Sequence, residues 1–278
     1  MCRTREKNVI CDRICKLVLL TVAVIAGVRN SEAKNIYVNS ANYGVSGIDG
    51  TSVAKGFGTI QDGVDAALEG DTVLVAPGVY DKGGKTFDWG VVVCSNRVLI
   101  SKPITLRAIS SNPADTVIKG VWDPNPTSGN AFGIGPAAVR CVKVTSADVV
   151  VKGFTLADGS CQALTAEGDI QAGHVGGFAG YNNANKATVF AVDCVITNCA
   201  GARGGAVRYA TCVRCVIEDC KTQGGQAGAR HVQAFHTVFC RNSSAGSECI
   251  GESKLINCAI IETRGNRGCA SGTVDYRN

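Results

Sequence analysis

Apolar and polar residues alternate by two between Val192 and Thr263, and the alternation recurs. Val192-Asp-Cys-Val-Ile-Thr-Asn-Cys199, Val213-Arg-Cys-Val-Ile-Glu-Asp-Cys220, Phe235-His-Thr-Val-Phe-Cys-Arg-Asn242 and Ile256-Asn-Cys-Ala-Ile-Ile-Glu-Thr263 align without gaps, their starts 21, 22 and 21 residues apart. The first, third and fifth columns are apolar or small: Val192, Val213, Phe235, Ile256; then Cys194, Cys215, Thr237, Cys258; then Ile196, Ile217, Phe239, Ile260. A spacing of two is the strand period, so all three columns are expected on one face. The second column, Asp193, Arg214, His236 and Asn257, is polar and expected outside.

A strand pattern that returns every 21–22 residues has a simple physical solution. Each repeat makes one turn of a coil, and each strand pairs in parallel with its equivalent about 4.8 Å away. Inward side chains then stack into a continuous core, and strand edges stay open only at the two ends. The predicted fold is all-β: a right-handed parallel β-helix. No strict six-residue period supports the left-handed alternative. Further strands are expected at Thr72–Ala76, Ile104–Ala108, Thr116–Lys119, Val142–Val144 and Val149–Leu156. The stretch 159–186, rich in Gly, Ala, Asn and polar residues, reads as one coil carrying a long surface loop, and 120–136 as a second such loop.

The open start of such a coil needs a lid. Residues 58–70 supply a capping helix: Thr59 with Asp62 three residues on, then Ile60, Val64, Ala67 and Leu68 as one apolar stripe, then Gly70 as a stop. The cap is placed at 57–70 and the coils at 71–278.

Ile36-Tyr-Val-Asn39, the segment Phe57-Gly-Thr-Ile-Gln-Asp62, Gly70-Asp-Thr-Val-Leu-Val-Ala-Pro-Gly-Val-Tyr80 and Val151-Lys-Gly-Phe-Thr-Leu156 resemble pectin-lyase-like right-handed parallel β-helix proteins. The resemblance spans most of 35–263. It implies the fold and leaves the activity open, because that superfamily holds polysaccharide lyases, glycoside hydrolases and adhesins. Gly204-Gly-Ala-Val207 and Phe239-Cys-Arg-Asn242 also resemble the short repeats of polymorphic outer-membrane autotransporters, each occurring once.

Residues 1–33 read as a signal peptide: early basic charges, a 12-residue apolar run Leu17–Val28, and Ser31-Glu-Ala33 before Lys34. The remaining 34–278 read as one β-helix domain, expected to be secreted or at the cell surface, with no transmembrane segment after cleavage. Removing six of 28 basic and three of 23 acidic residues leaves 22 and 20, close to neutral. No basic stripe with interleaved aromatics argues for nucleic acid. Twelve of 15 cysteines lie beyond the leader. They are either stacked buried thiols or disulfides, with Cys199–Cys220 the favoured pair; Cys212-Val-Arg-Cys215 has no second such pair at zinc spacing.

Chemistry is sparse. Arg208 and Arg230 are 22 residues apart in one register and should stack as a basic column suited to an acidic sugar. Trp122 is a candidate sugar platform. Asp158, Glu167 and Asp169 are close enough for a calcium site, which a lyase would use; otherwise no cofactor is expected. A lyase also needs a base of lowered pKa for the C5 proton, and the sequence nominates none. The clustered aspartates of a hydrolase of the polygalacturonase type are absent. The expectation is an exported β-helix presenting a carbohydrate- or envelope-binding surface. A polysaccharide lyase and an autotransporter or adhesin passenger are the alternatives. No amphipathic cap follows the Ile256 coil, so end-to-end self-association is expected too.

Overall fold

The structure, a computed structural model, describes residues 32–88, 90, 92–126, 132–161, 175–181, 188–271 and 275–277. It is a parallel β-helix. The first sheet has nine strands: Asn35–Val38, Thr72–Val75, Thr105–Ala108, Val149–Lys152, Val189–Val192, Thr211–Val213, Gln233–Phe235, Lys254–Ile256 and Asp275–Arg277. A seven-stranded second sheet runs from Gly78–Tyr80 to Ala259–Ile261, and an eight-stranded third sheet from Lys85–Asp88 to Ala270–Ser271. A fourth sheet of four two-residue strands, Ala200–Gly201 to Arg264–Gly265, appears only in the later coils. Strand pairings are parallel and in coil register, as Ile196↔Ile217↔Phe239↔Ile260 shows. The exception is the hairpin of Lys85–Asp88 with Val93–Ile100.

One buried cluster runs the length of the coil, from Val38 and Ile60 through Leu106, Val151, Phe178 and Ile217 to Leu255. Each fully buried Leu, Ile or Phe adds about 1.5–3 kcal/mol relative to exposure. The lid is the helix Ile60–Ala66. Thr59 caps it, its hydroxyl accepting from Asp62 N at 3.1 Å. Gly63 lies where the helix crosses the first strand: a Cβ there would meet Val38 Cγ2 at 2.4 Å. Ile60, Val64 and Ala67 are buried as expected, but Leu68 is 67% exposed. The helix stops at Ala66, so Leu68 leaves the stripe.

The corners correct the reading of the columns. Asp193, Arg214, His236 and Asn257 hold φ of 53°, 52°, 50° and 51° between the first and second sheets. Asp158, Asn198, Asp219, Arg241 and Glu262 do the same after the second sheet, and Asp148, Tyr209, His231 and Glu252 before the first. A residue in the left-handed region turns the chain, so the alternation does not carry across it. Cys194, Cys215 and the Ile196 column face the core as expected. Val192, Val213 and Phe235 instead join Phe190 in a separate apolar cluster on the other face of the first sheet.

Within 159–186 the described residues form the coil expected there. Gly159 to Cys161 and Val175 to Gly180 are buried, and Phe178–Ala179 is a strand of the third sheet. Its glycines serve close backbone packing: a Cβ on Gly159 would lie 2.1 Å from Gly176 O. In 120–136, Val121 bridges Val139 and Ile134 is fully buried, so that segment also returns to the core.

Candidate functional site: a basic corner on the third sheet

Inward positions of the third sheet are Val142, Phe178, Val207, Ala229 and Ile250, stacked in register. Their neighbours one residue on, Lys143, Ala179, Arg208 and Arg230, form the adjacent column on the opposite face. Arg208 and Arg230 therefore pair as the sequence predicted, and Lys143 joins them from below.

The next residues in the later coils, Tyr209, His231 and Glu252, occupy the left-handed corner. Tyr209 and His231 stack with ring centroids 4.8 Å apart and planes 5° from parallel. Arg208 Nη2 donates to Tyr209 Oη at 2.9 Å, and its guanidinium lies 4.6 Å from the Tyr209 ring centre. Glu252 receives Arg230 Nη2 at 3.2 Å on one oxygen and His231 Nε2 at 2.8 Å on the other. Arg208 is only 7% exposed. Its Nε and Nη1, and Nε of Arg230, are buried without a hydrogen-bond partner. Burial lowers the pKa of Arg208, but an arginine stays charged. Buried donors without partners cost free energy and are rare in native proteins. Three of them on two neighbouring guanidiniums suit an oxyanion, which offers several lone pairs at once.

Lys143 is 5% exposed, and its Nζ donates to Gly180 O at 3.2 Å. Burial, then the positive charges of Arg140 and Arg208, push its ammonium down to about 7. Arg140 is fully buried, with Nε on Val175 O and Nη1 on Asn96 Oδ1 at 2.9 Å. Lys143, Arg208 and Arg230 thus share one outer column of the third sheet, and Glu252 takes Arg230 and His231 at its end.

The other candidates lie elsewhere. Trp122 is half-buried; its Nε1 donates to Asn198 O at 3.2 Å and Lys221 Nζ lies 6.0 Å from its ring. Asp158 sits at a corner after the second sheet, not in a loop. It takes Asn198 Nδ2 at 2.8 Å and Lys119 at 3.4 Å. Glu167 and Asp169 lie outside the described residues. Among the described residues no group of three or more His, Cys, Asp or Glu is arranged to hold a metal ion, and no helix is long and apolar enough to cross a membrane.

Sequence reasoning missed Lys143, Arg140 and Glu252. Val142-Lys143-Val144 does carry a signal, a cation alternating with valine in a strand. Its register with Arg208 runs through Ala179, inside a stretch whose repeat is interrupted.

No protein-family model matches the chain, and neither does any curated protein. Among solved structures, the chain is similar to pectin methylesterase PemA from Erwinia chrysanthemi at 14% identity and a TM-score of 0.39, covering 84% of this chain and 67% of that one. A pectin methylesterase mutant bound to a hexasaccharide scores 0.40 at 12% identity over the same shares. A lacto-N-biosidase from Eubacterium ramulus scores 0.33 at 8%, covering 88% of this chain and 68% of that one. Likeness this distant says nothing of chemistry, and the β-helix rests on the strand ladders themselves.

Proposed function

We propose that this chain is an exported β-helix that holds an acidic polysaccharide, or an anionic component of a cell envelope, at the Arg208–Arg230 corner. The observation that carries this reading is the set of buried, unpartnered N–H groups on Arg208 and Arg230. A carboxylate or sulfate group meets them with charge-assisted hydrogen bonds. Affinity electrophoresis of the mature chain through polygalacturonate, alginate, heparin and a neutral glycan tests it. Retardation by at least one of the acidic polymers, absent with the neutral one and lost in Arg208→Ala, is the expected result. Equal retardation of wild type and variant would overturn it.

Lys143 favours a second reading, β-elimination on the same kind of ligand. With its ammonium at about 7, a large neutral fraction exists at neutral pH. That amine can accept the C5 proton while the C5–H electron pair becomes the C4=C5 double bond, the C4–O pair leaves on the oxygen of the departing sugar, and water protonates that oxygen. Arg208 would meet the uronate carboxylate, and calcium would be an added requirement of this reading alone. Ultraviolet absorbance of an unsaturated product, abolished in Lys143→Ala, supports it; binding without product rejects it.

A further inference from the structure

On the outer face of the third sheet, Lys143, Ala179 and Arg208 follow one another in register, one coil apart. Lys143 and Arg208 are therefore two coils apart, about 9–10 Å at the backbone, with one methyl group between them. Lys143 reaches up across that gap. Its Nζ donates to Gly180 O at 3.2 Å, and Gly180 N in turn donates to Arg208 O at 2.8 Å. Residue 180 adds no side chain there, and a Cβ on it would lie 1.9 Å from Tyr209 O. Lys143, Ala179 and Arg208 are 5%, 6% and 7% exposed, so this part of the column is shielded from bulk water.

An amine and a pair of unmet donors thus come together over Ala179. Arg208 Nε and Nη1 are buried without an acceptor. The Lys143 ammonium is pushed down to about 7, by burial first and then by the positive charges of Arg140 and Arg208, so a neutral, nucleophilic amine is well populated at neutral pH. Such a place suits a reagent that is small and uncharged on entry and an anion once bonded. Carbon dioxide has both properties, and its adduct with an amine carries two acceptor oxygens.

We infer that Lys143 takes up carbon dioxide as a carbamate whose oxygens accept from the unmet N–H groups of Arg208. The Nζ lone pair forms the N–C bond, one C=O electron pair moves onto oxygen as the negative charge, and one N–H proton leaves to a base in solution. A group that was neutral or positive becomes negative beside a guanidinium, which turns a repulsion into an attraction. The carbamate draws on the same N–H groups as the proposed polysaccharide site, but its formation needs no sugar. A carbamate and a ligand carboxylate would exclude each other at Arg208.

The test is carbon-13 NMR of the folded chain at a pH above about 7, equilibrated with carbon-13-labelled carbon dioxide and bicarbonate, with no polysaccharide present. The expected result is a protein-bound carbamate signal in the wild type that is missing from Lys143→Met, whereas a signal from the terminal amine persists in both. Arg208→Lys keeps the positive charge but loses the fork of donors. It should cut the Lys143 signal by roughly ten-fold or more, the scale of a charged hydrogen bond. Circular dichroism checks the fold of each variant, and if Arg208→Lys does not fold, the comparison with Lys143→Met decides alone. Identical spectra for wild type and Lys143→Met, or an undiminished signal in folded Arg208→Lys, would overturn the inference. Either result leaves the polysaccharide reading to its own electrophoresis test.

Discussion

Three corners of this β-helix carry arginine and carboxylate about one coil apart, and the third differs in kind from the other two. After the second sheet, Arg241 reaches Glu218 at 2.8 Å and Asp219 at 2.7 Å, in the open. The same holds between the first and second sheets, where Asp193 takes Arg214 at 2.7 Å and Lys152 at 3.6 Å. At the third sheet, Arg208 is buried and two of its nitrogens have no partner, and Glu252 takes both Arg230 and His231. The difference lies in position, not residue type. Arg214 and Arg241 stand at left-handed corners, where the side chain leaves for solvent. Arg208 and Arg230 stand within strands, one residue before the corner, where neighbours desolvate them. A paired, exposed guanidinium has its donors met; the buried one keeps free donors, on which the proposed binding rests.

The largest effect expected from this contrast is on Lys143. Its pKa is about 7 folded against 10.5 in the unfolded chain. Below about 7 both states hold the proton and the full cost of the buried charge is present. As pH rises past 7 the native lysine releases its proton while the unfolded one keeps it, so stability increases. Urea denaturation should show this rise from about 7 toward 9, where unfolded thiols begin to ionise. Lys143→Met should remove the slope and gain on the order of 3–5 kcal/mol at neutral pH. A flat wild-type profile would contradict the placement of Lys143.

Next in size is the contrast between arginines. Arg208→Ala should weaken binding of an acidic oligosaccharide by ten-fold or more, the scale of about 1.5–3 kcal/mol for a charged hydrogen bond. Arg241→Ala should leave both the affinity and the Tm unchanged, as exposed ion pairs usually do. Similar losses in the two variants, read by calorimetric titration, would erase the distinction between the corners.

The smallest effect concerns Glu252, the carboxylate already on Arg230 and His231. Glu252→Gln removes a negative charge beside the site and should raise affinity for the acidic oligosaccharide by roughly two- to five-fold, mostly through association rate. Stopped-flow association that is slower in the variant would show that Glu252 assists the ligand instead of competing with it.

Much of the fold was legible because ladders of like residues must stack at one period. The 21- and 22-residue spacing from Val192 onward and the Arg208–Arg230 pairing follow from that rule, and the Thr59 cap follows from its three-residue spacing to Asp62. Three things were not legible. A residue in the left-handed region shifts the alternation by one, which sent Val192 and Phe235 to the outer face. The helix ended a turn early, which left Leu68 in solvent. Lys143 meets Arg208 only through Ala179, across segments whose length hides the period.

The most direct test of the basic corner is a crystal structure of the chain with a bound acidic oligosaccharide. The account predicts a carboxylate or sulfate oxygen within hydrogen-bonding distance of Arg208 Nε and Nη1 and of Arg230 Nε. An oligosaccharide seated on another face of the coil, with those nitrogens still unpartnered, would contradict it.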